Sequence, residues 1–169
     1  LDQAGRIITD ISKVIIFILL PLTIFIIILR EPIIAVLFQR GAFDLEATAK
    51  TSIALGFFSL SLCAWGMDYL LFRVYYLIKE MKTYIGLLLI RVLINIILNI
   101  ILIRFFLSAG LAFSFSIALV IHLMLTVFFL ARKLKYFGYK IISKFFLKTI
   151  FICAIMGSAV YLLYCALAK

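Results

Sequence analysis

The chain has 169 residues, 67% of them hydrophobic and 14% charged, with 17 Lys and Arg against 7 Asp and Glu and a formal net charge of +10. Soluble domains run at roughly 45–50% apolar and about 25% charged. With a mean hydropathy of +1.31, the composition excludes a soluble core, and the basic excess points to cytoplasmic membrane loops rather than to nucleic acid, for which no motif is present.

A bilayer core about 30 Å thick asks for roughly 20 helical residues, and five stretches come close to that or exceed it. The first, Val14 to Leu29, is the shortest. Lys13 and Arg30 at its ends can snorkel to the headgroups, and Pro21 predicts a kink. Arg30-Glu31-Pro32 and the run IIAVLFQRGAFD follow, where Pro32 suits a helix start and Gly41 a stop, giving a short interfacial helix from Ile33 to Gln39. Asp44 suits the N-cap of the second span, Thr51 to Ile78, with Glu46 near the positive end of the helix dipole. The third and fourth spans, Tyr84 to Ile103 and Leu107 to Ala131, form a hairpin through a tight turn near Ser108 to Gly110. Gly110, Ser114 and Ala118 recur at every fourth residue, a pattern that lets another helix approach closely; a ligand role is the alternative. Residues 132–148 form a basic amphipathic segment in which Lys140, Lys144 and Lys148 share one face, placing it in the membrane plane against anionic lipid. A fifth span, Thr149 to Leu167, lies in the terminal segment 149–169.

Lys and Arg divide unequally between the two sides. Arg6, Lys13, Lys79, Lys82, Arg132, Lys133, Lys135, Lys140, Lys144 and Lys148 collect on one, and Arg30, Arg40, Lys50, Arg104 and Lys169 on the other. The positive-inside rule assigns the first set to the cytoplasm, so the first span runs outward and the QRGAFD loop faces the exterior.

No enzyme signature is present: no GxSxG, HExxH or P-loop occurs, and no cofactor or metal site is expected. His122, the only histidine, reads as a packing or cavity-lining residue. Cys63, Cys153 and Cys165 lie inside apolar runs without paired spacing and read as small buried hydrophobes. The chemistry falls to the few ionic residues inside the spans, Asp68, Arg73 and Arg91, because a charge at mid-bilayer depth costs about 3 kcal/mol or more and marks a functional position. Arg91, Asn95 and Asn99 fall within about 80° on one helix face, either lining a cavity or bonding between helices. Asp68 and Arg73 lie about 140° apart around the second span, so each needs a partner of its own. Arg73 offers a phosphate or pyrophosphate a bidentate fork if it faces a cavity; otherwise it snorkels to the nearby interface.

The run REPIIAVLFQRGAFDLEAT, the cluster Leu71, Phe72, Arg73, Tyr75 and Tyr76, then KEMKT, INIILNIIL and GLAFSFSIA follow in an order and spacing that resemble the carboxy-terminal half of the MurJ (MviN) lipid II flippases of the MOP exporter superfamily. LFQRGAFD, with Arg40, Gly41 and Asp44, is the most specific part. The resemblance implies an all-α polytopic membrane protein, with the five spans as the ninth to thirteenth of fourteen helices. Residues 1–131 then belong to the carboxy-terminal lobe, and Leu1 in place of Met fits a piece of a larger protein with no signal peptide. It implies a non-enzymatic transporter in the bacterial inner membrane that flips the undecaprenyl-pyrophosphate-linked peptidoglycan precursor lipid II outward by alternating access. Its partners would be lipid II, membrane lipids and the amino-terminal lobe of the same protein. Arg73 matches an arginine lining the family's central cavity. The family's usual Asp-Thr-Lys-Thr-Pro is here Glu80-Met81-Lys82-Thr83-Tyr84, and Asp68 lies outside the motif. A polysaccharide or O-antigen flippase, a drug/cation antiporter of the same superfamily and a non-transporting scaffold subunit are the alternatives.

The charge count generates a direct test. A cysteine placed at Gly41 is expected to react with an impermeant thiol reagent in intact cells, and one at Gly138 to escape it. The reverse pattern overturns the topology.

Overall fold

The structure is a computed structural model that describes residues 2–40, 44–106, 108–133 and 139–167. The described residues form α1 (Asp2–Ile28), α2 (Arg30–Phe38), α3 (Leu45–Leu60), α4 (Leu62–Leu77), α5 (Met81–Phe106), α6 (Ser108–Lys133) and α7 (Tyr139–Leu167). Four of them, α1, α5, α6 and α7, are long and apolar enough to cross a membrane, and α3 with α4 makes a fifth span. All-helical architecture follows from the solvent. Hydrocarbon offers backbone groups no hydrogen bonds, and a helix satisfies them within one segment.

The first helix extends twelve residues ahead of the expected span, and Pro21 lies inside it without ending it. Its buried face carries Thr9, Ser12, Ile16, Leu20 and Thr23. The three hydroxyls bond back to their own helix, to the carbonyls of Gly5, Ile8 and Leu19 at 2.7–2.8 Å, so small polar residues pack closely with no donor unmet. The interfacial helix expected from Ile33 appears as α2, three residues earlier. Asp44 caps α3 as its sequence position suggests, its carboxylate accepting the Ala47 amide at 2.8 Å. Gly41 lies outside the described residues.

The expected unbroken span from Thr51 to Ile78 is corrected by the structure: α3 and α4 meet at Ser61 with a bend of 40°. A bend inside a bilayer frees carbonyls, and serine hydroxyls supply their donors. Ser59 Oγ donates to Gly56, Ser61 Oγ to Phe58 and Ser116 Oγ, from α6, to Phe57, all at 2.7 Å. Ser61 then accepts the Trp65 amide at 2.8 Å, which starts α4.

The α4–α5 connection is a tight reversal in which Lys79 takes a left-handed φ of 58°. The Lys79 amide donates to Tyr76 at 3.1 Å and the Glu80 amide to Tyr75 at 2.9 Å, so the last carbonyls of α4 are satisfied without a glycine. Glu80 also accepts from Lys133 at 2.5 Å, tying this reversal to the end of α6, and that bond holds its carboxyl below the usual range.

The long helices α5 and α6 pack along their length, and α6 also touches α3 and α4. Ala112, Ser114 and Ala118 of α6 are fully buried, which answers the small-residue spacing in favour of packing. The expected turn near Ser108 to Gly110 is corrected, since both residues already belong to α6; residue 107 lies outside the described residues. On the other side of the α3–α4 span, α1 packs against α7, with Gly157 facing Ile24. The expected boundary between 148 and 149 is not a break. Residues 139–167 are one helix, so the basic lead to the fifth span continues its axis.

Gly110 closes the α5–α6 hairpin: a Cβ there would lie 2.6 Å from the Leu102 carbonyl oxygen, backbone that cannot swing aside. Gly110→Ala is expected to destabilise the bundle by about 1–3 kcal/mol, read as a lower midpoint of thermal unfolding in detergent. An unchanged midpoint contradicts this packing.

Candidate functional site

The second half of the broken span, α4, turns one face inward and one outward. Ala64, Met67, Asp68, Leu71, Val74 and Tyr75 are buried, whereas Trp65, Tyr69, Phe72 and Tyr76 are exposed along the opposite side. A carboxylate on the inward face has to find its donors on other helices.

Asp68 finds them on α5 and α6. The Tyr84 hydroxyl donates to Asp68 Oδ1 at 3.1 Å, Arg91 Nη1 lies 3.7 Å from Oδ2, and His122 Nε2 lies 3.1 Å from Oδ1. Asp68 and Arg91 side chains are 8% and 16% exposed, so the pair is shielded from bulk water as well as lipid. The Arg91 guanidinium lies 5.2 Å from the Phe115 ring centre, and the Tyr84 ring meets the His122 ring edge-on at 5.5 Å. Behind the imidazole, Thr126 Oγ1 donates to the His122 carbonyl and the Tyr75 hydroxyl to the Thr126 carbonyl. One polar chain thus joins three helices.

Of the three in-span ionic residues, the structure brings Asp68 and Arg91 together and leaves Arg73 apart. Arg73 stands on the exposed face of α4, its guanidinium donating to the Tyr69 hydroxyl at 2.9 Å and lying 4.8 Å from that ring's centre. Asp68 and Arg73 have separate partners, as their angular separation requires. Asn99 Nδ2 donates to Asn95 Oδ1 at 2.8 Å, and Ser114 Oγ of α6 donates to Asn99 Oδ1. This row serves hairpin packing. Arg40 is exposed at the end of α2, while Lys144 and Lys148 are exposed on α7; Lys140 lies on the same helix, with its side chain outside the described positions.

Two members of the cluster were invisible as partners in the sequence. His122 and Tyr84 lie far from Asp68 along the chain, with nothing in local spacing linking them. A recess of about 400 Å³, bounded by Ile16, Cys63, Met67, Leu123 and Ile142 among others, has almost no polar wall. It suits hydrocarbon, not an anion. The arrangement therefore offers two chemistries: a buried acid–base cluster between helices and an outward cation on an aromatic surface.

The chain matches the family model described as "Lipid II flippase MurJ" over residues 2–168. It is 31% identical over 147 residues to a "Probable lipid II flippase MurJ" of Thermotoga maritima, a match covering 87% of this chain and 29% of that protein. A relative of the same description from Rickettsia prowazekii is 28% identical over 144 residues, covering 85% and 28%. A solved structure described as "Lipid II flippase MurJ, inward closed conformation" matches with a TM-score of 0.74 at 28% identity, covering 95% of this chain and 38% of that one. The chain thus spans less than two-fifths of the proteins it matches.

Removing one partner of a buried ion pair leaves the other uncompensated, at a cost of about 3–5 kcal/mol. Asp68→Ala is expected to lower the stability of the bundle by that order in thermal unfolding. Asp68→Asn, which fills the same space and keeps one acceptor oxygen beside these donors, is expected to cost less. Equal losses from both variants contradict the cluster.

Proposed function

The chain belongs to the lipid II flippase MurJ family, and from that membership we propose that it supplies one lobe of a carrier moving lipid II from the inner to the outer leaflet of the bacterial cytoplasmic membrane. It is a multi-pass membrane protein whose family is one of transporters. The match names favour lipid II flipping over the polysaccharide-flippase, antiporter and scaffold alternatives.

Within that reading, Arg73 is the group that meets the substrate's pyrophosphate. A pyrophosphate leaving water needs a cation to replace its lost hydration, and a guanidinium stays charged while offering two parallel donors. The observation that carries this assignment is the direction of the side chain. Arg73 lies only five residues from Ile78 at the end of α4, so snorkelling would take it toward that end; its bond runs instead to Tyr69, one turn back toward the middle of the span. Trp65, Tyr69, Phe72 and Tyr76 line the same outward side. Phe72 meets Tyr84 of α5 edge-on at 5.4 Å, while Trp65, Tyr69 and Tyr76 are well exposed, and in alternating access this face is where a second lobe would close the central site. The motif residues Arg40, Gly41 and Asp44 precede this span in the chain on its exterior side, and Asp44 caps it. Lys140, Lys144 and Lys148 meet anionic lipid at the start of α7.

In the whole protein, Arg73→Ala is expected to abolish rescue of cells depleted of their own flippase at normal protein abundance. Two charge-assisted hydrogen bonds lost at about 1.5–3 kcal/mol each amount to roughly a hundredfold or more. Arg73→Lys is expected to keep part of the rescue, since charge persists and the fork does not. Full rescue by the Ala variant removes Arg73 from the site.

A further inference from the structure

The His122 ring sits between two acceptors. Nδ1 lies 3.2 Å from the Leu87 carbonyl oxygen, and Nε2 lies 3.1 Å from Asp68 Oδ1. The side chain is fully buried, and Nε2 has no aligned hydrogen-bond partner. A neutral imidazole carries one N–H, so whichever tautomer or ring flip it adopts, one nitrogen turns a bare lone pair toward an oxygen. Only a ring protonated on both nitrogens matches both acceptors. The carboxylate end is already prepared for its ionised form, with Tyr84 donating to Oδ1 and Arg91 beside Oδ2.

From this mismatch we propose that the space between His122 and Asp68 is a proton-binding site, the bound proton residing on Nε2 as part of an imidazolium–carboxylate pair. Loading takes one proton from water onto the Nε2 lone pair, with no bond broken in the protein, and raises the charge of the Asp68–Arg91–His122 cluster from zero to +1. The loaded state holds α6 to α4 through the ion pair and α6 to α5 through the Leu87 carbonyl. Release leaves one of those two contacts without its proton, so occupancy sets how tightly α6 is held to its neighbours. The titratable groups facing the ring are Asp68 and, through the Thr126 carbonyl, Tyr75 from α4, with Tyr84 and Arg91 from α5. Charged groups on the surrounding helices are engaged elsewhere: Asp10 with Lys13 on α1 and Glu46 with Lys50 on α3, while Lys144 and Lys148 are exposed on α7. The inference stands on the cluster's geometry and is independent of the role given to Arg73.

The test exploits the single histidine of the chain. With ¹⁵N-histidine incorporated and the protein in lipid bilayers, solid-state NMR reports both nitrogens of one ring. Across a pH series, the acidic limb is expected to show both nitrogens protonated and the alkaline limb to bring up one bare-nitrogen signal. Asp68→Asn, whose amide can donate to Nε2 without a proton from solvent, is expected to keep the ring neutral over the same series. A bare-nitrogen signal in the unmodified protein at every pH overturns the site, whatever the variant does. A doubly protonated ring that persists unchanged in Asp68→Asn overturns the pairing with Asp68.

Discussion

A carboxylate among membrane helices cannot borrow hydrogen bonds from its surroundings, and Asp68 therefore dictates which helices stand beside α4. Tyr84 and Arg91 commit α5 to it, and His122 commits α6. A few further polar bonds join helices, Tyr75 to Thr126, Ser114 to Asn99 and Ser116 to Phe57, and much of the rest is apolar or small-residue packing, which fixes distance far better than register. Leu119 and Leu130 could slide by a turn at modest cost; a hydrogen-bonded aspartate could not. The same constraint recurs at lower stakes wherever backbone is exposed by a bend, and Ser59, Ser61 and Ser116 answer it at the α3–α4 junction.

Much of the architecture was legible because bilayer thickness is a ruler. The number of spans, the Asp44 cap and the α5–α6 hairpin follow from apolar run length, cap chemistry and small-residue spacing, all properties of neighbouring residues. The bend at Ser61 was not legible: Gly56, Ser59 and Ser61 are also tolerated in a straight span, and the third hydroxyl comes from Ser116 on another helix. The site divides in the same way. Angular separation along one helix predicted that Asp68 and Arg73 would part, and the Asn95–Asn99 row was visible at its own spacing. The meeting of Asp68 with His122 depends on how α4 and α6 are laid together, which periodicity does not encode.

The two faces of α4 give their polar residues different surroundings. Inward, its polar residue is matched group by group; outward, Arg73 bonds the Tyr69 hydroxyl of its own helix and lies over that ring. Arg73 meets an aromatic hydroxyl on the exposed face, whereas Arg91 is set between Asp68 and Phe115. Cations of the same type on neighbouring helices thus meet a neutral hydroxyl in one case and a carboxylate in the other.

The order in which the chain is synthesised gives the Asp68 cluster a consequence for biogenesis. Asp68 emerges from the ribosome before Tyr84, Arg91 or His122, so α4 reaches the translocon carrying a carboxylate whose donors do not yet exist. Its release into lipid at that moment would strand the charge. Retention at the protein-conducting channel, or at an insertase with a hydrated groove, until α5 and α6 have followed lets the three helices enter the bilayer as one unit.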